Sequence, residues 1–247
     1  MWTTLVAAAL ATAAAPAAPA QDPPTVYRAV FLQAAPGRLT ELVELFHSLL
    51  PVYQQAGMPA PLLGRHTQGD KWDLLLVESV GNLSAWYAPE SGRRWDAAAG
   101  AGQTLAELRQ RLDPLVAWRE ELFVAGPPVE EFQRRNAGAG FYHLEIFQAL
   151  AGKRDSLYRE RLMEDDFSRR IGRPDNLVFT RIGGAGWDAF TIGFFRDLQH
   201  YAEPSGRSAA EEDAAAVAAG FASRGDIGAY LRRFIALHHD TLLVPIR

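Results

Sequence analysis

Two nine-residue runs, VYRAVFLQA at 26–34 and FYHLEIFQA at 141–149, are dense in aromatic and branched side chains and stop short of a Gly, as strands do. After each, the apolar period lengthens. Leu42, Leu45, Phe46 and Leu49 recur at helical spacing, and that run ends at Gly57 with Pro59 beyond it, the order expected at a helix C-terminus. The second run ends in the same way at Gly172 and Pro174. Two strands joined through a Gly-containing turn follow in both places, 61–67 with 72–79 and 176–182 with 187–195. A further helix is predicted over LAELRQRLDPLVAWREEL (105–122) and over DIGAYLRRFIALHHDT (226–241). Short closing strands are predicted near Leu122–Ala125 and Leu242–Ile246.

The same order is thus written twice. Sliding 26–91 by 115 residues without a gap gives thirteen identities in 66 positions, including Tyr27/Tyr142, Gly37/Gly152, Gly57/Gly172, Pro59/Pro174, Gly69/Gly184, Trp72/Trp187 and Asp73/Asp188. The matched Gly and Pro residues fall where the chain turns, so every element stays in register. The predicted fold class is α+β: two tandem ferredoxin-like β-α-β-β-α-β repeats, 26–125 and 141–247, whose sheets close into an intramolecular α+β barrel. A linker over 126–140 (GPPVEEFQRRNAGAG) joins them.

Composition narrows the function classes. The 247-residue chain carries 25 basic and 29 acidic residues for a net charge of -4, with no basic run to follow a phosphate backbone, so nucleic acid is not an expected partner. It contains no Cys, which removes disulfides, thiolate nucleophiles and Cys-ligated metals. Residues 1–20, MWTTLVAAALATAAAPAAPA, hold no charged side chain and end in Ala18-Pro19-Ala20. They read as a secretory signal peptide, giving an exported protein, periplasmic or secreted, with no stable membrane span after cleavage.

The aromatic first strand, the "PGRLTELVELF" and "AGKRDSLYRERL" segments after it, the paired "WD" strands and "FFRDLQHYAEPSG" resemble the dimeric α+β barrel superfamily, in particular its NIPSNAP-like and stress-responsive branches, over about residues 26–247. The resemblance implies a small-molecule pocket in a barrel. It also brings in cofactor-free monooxygenases, polyketide cyclases, and haem-degrading or haem-dependent enzymes as relatives, with no signature that selects one reaction.

Strand alternation splits the second-half strand into Tyr142, Leu144, Ile146 and Gln148 on one face and His143, Glu145 and Phe147 on the other. The more apolar set is expected to face the helices, which places His143 and Glu145 in the barrel interior as a candidate base and its partner. A polar pair at the barrel mouth, or the opposite facing, is the alternative. Arg28 stands where the second half has His143, so the halves differ chemically and a polar pocket is expected mainly in the second.

His66 and Arg181, on corresponding strands, could meet a carboxylate-bearing ligand or could be ordinary edge-strand charges. Trp187 could wall a pocket, although its repetition as Trp72 argues for architecture. His238-His239-Asp240, read as helical, has the wrong spacing for chelation on one face, and no metal site is expected there. His200 lies in a region where some cyclase-like relatives carry a His. Under the same resemblance a haem iron could take His143 or His200 as its axial ligand. The expected role is binding of a small, partly apolar ligand between the two sheets. The alternatives are a monooxygenase or cyclase using His143 with Glu145, a haem-dependent variant, or a structural interaction module. Cofactor use is open, and the expected assembly is a monomer or loose homodimer.

Overall fold

The computed structural model describes residues 24–247; the expected signal segment lies outside the described residues. In chain order the elements are β1 (Thr25–Ala34), α1 (Leu39–Gln55), β2 (Leu62–Gln68), β3 (Leu74–Gly81), α2 (Leu83–Tyr87), α3 (Pro89–Ala98), α4 (Leu105–Leu112), β4 (Val116–Gly126), α5 (Val129–Gly138), β5 (Phe141–Ala149), α6 (Arg154–Arg170), β6 (Leu177–Gly184), β7 (Ala189–Phe195), α7 (Leu198–Ala202), α8 (Ala209–Ala218), α9 (Ile227–Leu231) and β8 (Ile235–Pro245). No helix among the described residues is long and apolar enough to cross a membrane.

The eight strands close into an antiparallel barrel in the order β1-β3-β2-β8-β5-β7-β6-β4. The sheet of each half joins the other through β2–β8 and β4–β6. Closure pairs the strands that would otherwise end each sheet, so His66 and Arg181 lie on paired strands, not on edges. Both halves anchor their first strand through an Asp: Asp73 accepts from the Ala34 N–H at 2.8 Å and Asp188 from the Ala149 N–H at 2.9 Å. At the turns before these residues, Gly69 and Gly184 have φ of 118° and 103° and pass against the backbone carbonyls of Asp240 and Glu121, where a side chain would be strained and would collide.

Tyr27, Phe31, Trp72, Leu122, Val124, Tyr142, Leu144, Ile146, Phe179, Phe190 and Leu243 fill the barrel interior as one apolar cluster drawn from both halves. A second cluster packs Val30, Leu32, Leu74 and Leu76 of the outer sheet face against Leu42, Leu45, Phe46 and Leu49 of α1. Phe147, Leu157, Ala189 and Leu231 do the corresponding work under α6 and α9.

Three expectations are corrected. The faces of β5 follow the alternative facing, not the one that put His143 and Glu145 inside: Tyr142, Leu144 and Ile146 point into the barrel, whereas Phe147 and, by alternation, His143 and Glu145 lie under the helices. The helices expected over 105–122 and 226–241 end early, at Leu112 and Leu231, and β4 and β8 are 11-residue strands. Long pairing with β1 and β5 decides these segments. The expected linker 126–140 is largely helix: α5 closes one barrel end and buries Phe132 against Tyr27, Phe179 and Phe194.

Candidate functional site

Both halves leave a chamber between the outer sheet face and the helices, and they fill it oppositely. In the first half the chamber is a cavity of about 550 Å³, walled by Val30, Leu32, Phe46, Leu49, Trp95 and Leu108 among others. Arg28 and Glu78 form its polar floor. The Arg28 guanidinium donates to Glu78 Oε1 at 2.5 Å and to Glu121 Oε1 at 2.9 Å, and Tyr53 Oη donates to Glu78 Oε2 at 2.7 Å. Trp86 covers Arg28, its ring centroid 5.4 Å from the guanidinium carbon. Burial opposes the charge on Arg28, but the adjacent Glu78 and Glu121 carboxylates outweigh it and hold the group above its ordinary range. Burial, followed by the Glu78 charge, pushes the Tyr53 phenol well above its usual value.

In the second half, positions 115 residues later replace Val30, Leu45, Phe46 and Leu49 with Glu145, Glu160, Arg161 and Glu164. Arg161 is fully buried, with its fork on Glu160 at 2.7 and 2.8 Å, Nη2 on Glu164 at 2.6 Å and Nη1 3.4 Å from Glu145 Oε2. Thr191 Oγ1 donates to the same Glu145 oxygen at 3.0 Å. Burial works against ionised Glu145, but His238, Arg161 and His143 outweigh it and hold its carboxyl down at about 2. Burial and the surrounding carboxylates push Glu164 up to about 7, against the opposing pull of Arg161.

The charged side chains sit here because 238–240 belong to β8. In a strand, alternate residues share a face, so His238 and Asp240 both reach the chamber, while β5–β8 pairing sets Asp240 opposite Glu145 and His238 opposite Phe147. Phe147 stacks flat on His238, centroids 4.8 Å apart at 3°. His143 is hydrogen-bonded to Asp240. Burial lowers the His143 affinity for a proton, but Asp240 and Glu145 more than offset this and hold its pKa above the ordinary value.

The remaining sequence candidates lie elsewhere. His66 lies at the barrel end opposite α5, where its ring is tilted against Trp72, centroids 4.9 Å apart, and accepts from the Asp70 N–H at 3.0 Å. At that end Trp187 donates to Glu120 at 3.1 Å and lies 5.1 Å from the His239 ring, which meets Asp70 at 2.6 Å. Arg181 is tied to Asp188 at 2.8 Å. His200, on α7, accepts from the Arg196 N–H at 3.2 Å and packs on Phe195. The structure therefore joins His143 with Glu145 but separates both from Arg28 and from the His66, Arg181 and Trp187 group. The cavity lies outside the barrel, not between two sheets, and it is in the first half, not the second.

Glu78, Tyr53, Glu121, Arg161, His238 and Asp240 went unselected in the sequence. A Glu ending the apolar run LLLVES, and an Arg at a core-facing helix position, were the signals available.

Among the described residues no histidine lines this cavity and Tyr53 is engaged by Glu78, so the cavity does not fit a haem that needs an imidazole as its axial ligand.

No protein-family model and no curated protein matches this chain. Solved structures do. An anthrone oxidase-like protein superposes with a TM-score of 0.58 at 10% identity, over 92% of this chain and 93% of that one. A monooxygenase candidate from Lactobacillus acidophilus NCFM gives 0.54 at 9%, over 91% and 95%. A chlorite dismutase candidate gives 0.52 at 8%, over 91% and 96%. These three belong to the dimeric α+β barrel superfamily, and at such identities the likeness shows the α+β fold they share with this chain, without singling out a NIPSNAP-like branch.

Proposed function

We propose that this protein is an exported binding barrel whose ligand, a small and mostly apolar molecule bearing a hydroxyl group, occupies the first-half cavity between the sheet and α1–α4. The observation that carries this reading is the cavity itself: about 550 Å³ of mainly apolar and aromatic wall over the Arg28–Glu78 floor, with Arg109, Asp113 and Arg119 also in the lining, a make-up common to small-molecule sites. The charge on the floor selects the ligand. Arg28 is already matched by two carboxylates, Glu78 and Glu121, so at the floor a ligand carboxylate finds this guanidinium taken, whereas a hydroxyl can donate to Glu78. This reading sets a hydroxyl-bearing ligand in place of the carboxylate-bearing one expected at His66 and Arg181. Hydrogen bonds and turns that recur at a separation of 115 residues support an origin by tandem duplication.

Naphthol and naphthoate provide the test, read by quenching of tryptophan emission, since Trp86 and Trp95 line the cavity. The naphthol is expected to bind at least tenfold more tightly, and Leu108→Trp, which fills the space from one wall, is expected to abolish binding. Equal binding by the folded Leu108→Trp variant would overturn the placement, and preference for the carboxylate would overturn the ligand class. For export, the mature chain from an exporting host should begin at Gln21.

A second reading, an enzyme on the same frame, has one observation in its favour: the Tyr53 phenol and the buried Glu78 carboxylate share a proton bond at the cavity. His143 and Glu145 are the weaker catalytic pair, being engaged with Asp240 and Arg161.

A further inference from the structure

We propose that Glu145, His238 and Asp240 form a binding site for a first-row divalent cation, bridging β5 and β8 under α6. Their donor atoms lie within 4.8 Å of one another. What distinguishes the group from a chance cluster is how the atoms are used. Glu145 commits Oε2 to Thr191, Arg161 and Asn176, which leaves Oε1 turned toward His238 Nε2 at 3.3 Å. Asp240 commits Oδ1 to His143, which leaves Oδ2 at 4.0 Å from the same nitrogen. His238 Nε2 is buried and has no aligned hydrogen-bond partner, an uncommon state for a buried polar atom.

Two carboxylate oxygens and one imidazole nitrogen therefore converge, each carboxylate held by a partner on its other oxygen, as outer-shell partners hold the ligands of metal sites. Phe147, stacked flat against the imidazole, fixes its plane. Donors around a zinc-sized ion stand about 3–3.5 Å apart, so Glu145 and His238 are already at a suitable separation, and Asp240 Oδ2 has to close in from 4.0 Å while Oδ1 stays on His143. The surrounding charge favours the same occupant: Glu145, Glu160, Glu164 and Asp240 face a single buried guanidinium, Arg161, and two histidines. A mixed imidazole and carboxylate set suits zinc, manganese, iron or cobalt ahead of calcium. Three protein donors leave room for a water or substrate atom on the solvent side of Asp240.

The full chain, stripped with chelator and dialysed, is titrated with cobalt(II) and zinc while visible absorption and the melting temperature are followed. One equivalent of cobalt with visible bands, displaced by zinc and raising the melting temperature, is the expected result. Asp240→Asn should weaken binding at least tenfold and His238→Ala should abolish it, with Asp240→Asn deciding the matter should His238→Ala fail to fold. His47→Ala, exposed on α1 in the first half, should bind as the parent does. Binding only at millimolar metal, or binding indifferent to both Asp240→Asn and a folded His238→Ala, would overturn the site.

Discussion

At the scale of single residues, the second-half chamber is organised by buried carboxyl groups, and one of them gives a clean test. Asp165 on α6 is buried and accepts the Asn176 N–H at 2.9 Å. Burial, reinforced by Asp175 and moderated by that hydrogen bond, raises its pKa from 3.8 to about 6. Because the folded value lies above the unfolded one, the native state binds the extra proton. This contribution to stability is fully present below about pH 4 and is lost as pH rises through about 6. Asp165→Asn keeps an acceptor for Asn176 and removes the charge. It should therefore stabilise the protein by roughly 3 kcal/mol at pH 8, from a shift of about two units at about 1.4 kcal/mol each, and change little at pH 3.5. Urea denaturation at the two pH values measures both, and an equal effect at each would mean that Asp165 is not the titrating group. The make-up of the chamber was not legible in the sequence, because side-chain facing on one strand, β5, decides where His143 and Glu145 lie. The alternation of β5 was visible, but which face met the helices was not: Tyr142 is apolar enough for either side, and only the aromatic interior built from both halves, with Phe179 and Phe190 beside it, assigns it inward.

At the scale of elements, the first strand, first helix and hairpin of each half could be read from periodicity and from Gly57, Gly69, Gly172 and Gly184, because those signals are local. The closing strands could not. In VAWREELFVAG the inward set, Trp118, Glu120, Leu122 and Val124, carries an acid and follows directly on the helical run of α4, so the change of period was hidden. In IALHHDTLLVP the inward His239 and Thr241 blurred the alternation in the same way. The cost of that blurring was the misreading of His238 and Asp240 as helical neighbours on different faces. The linker carries a second lesson, since a polar, Gly-flanked stretch holds one residue, Phe132, that is wholly buried in the barrel end. Phe132→Ala should cost about 3–5 kcal/mol, comparable with a truncation in the centre of a core. A loss below 1 kcal/mol in chemical denaturation would show that α5 is a tether and not a plug.

At the scale of the whole molecule, the interior belongs to neither half. Tyr27, Phe31, Leu75 and Val77 from the first pack in one cluster with Tyr142, Leu144, Phe190 and Ile192 from the second, and the two seams β2–β8 and β4–β6 pair strands from different halves. Separating the halves would uncover an apolar sheet face and unpaired strands on each. The fragments 24–126 and 127–247 are accordingly expected to lack cooperative melting as separate monomers, and to recover the melting transition of the full chain when refolded together at equal concentration. Aggregation or self-pairing of one fragment through the same face is consistent with this reasoning, whereas a monomeric fragment with its own sharp transition would contradict it. The comparison also reaches the chemistry. The first-half cavity is built from β1, β3, α1–α4 and Arg119 of β4, all within 24–126. Loss of naphthol binding in the isolated first fragment, restored on adding the second, would mean that the barrel interior sets the sheet curvature on which Arg28, Glu78 and Glu121 meet.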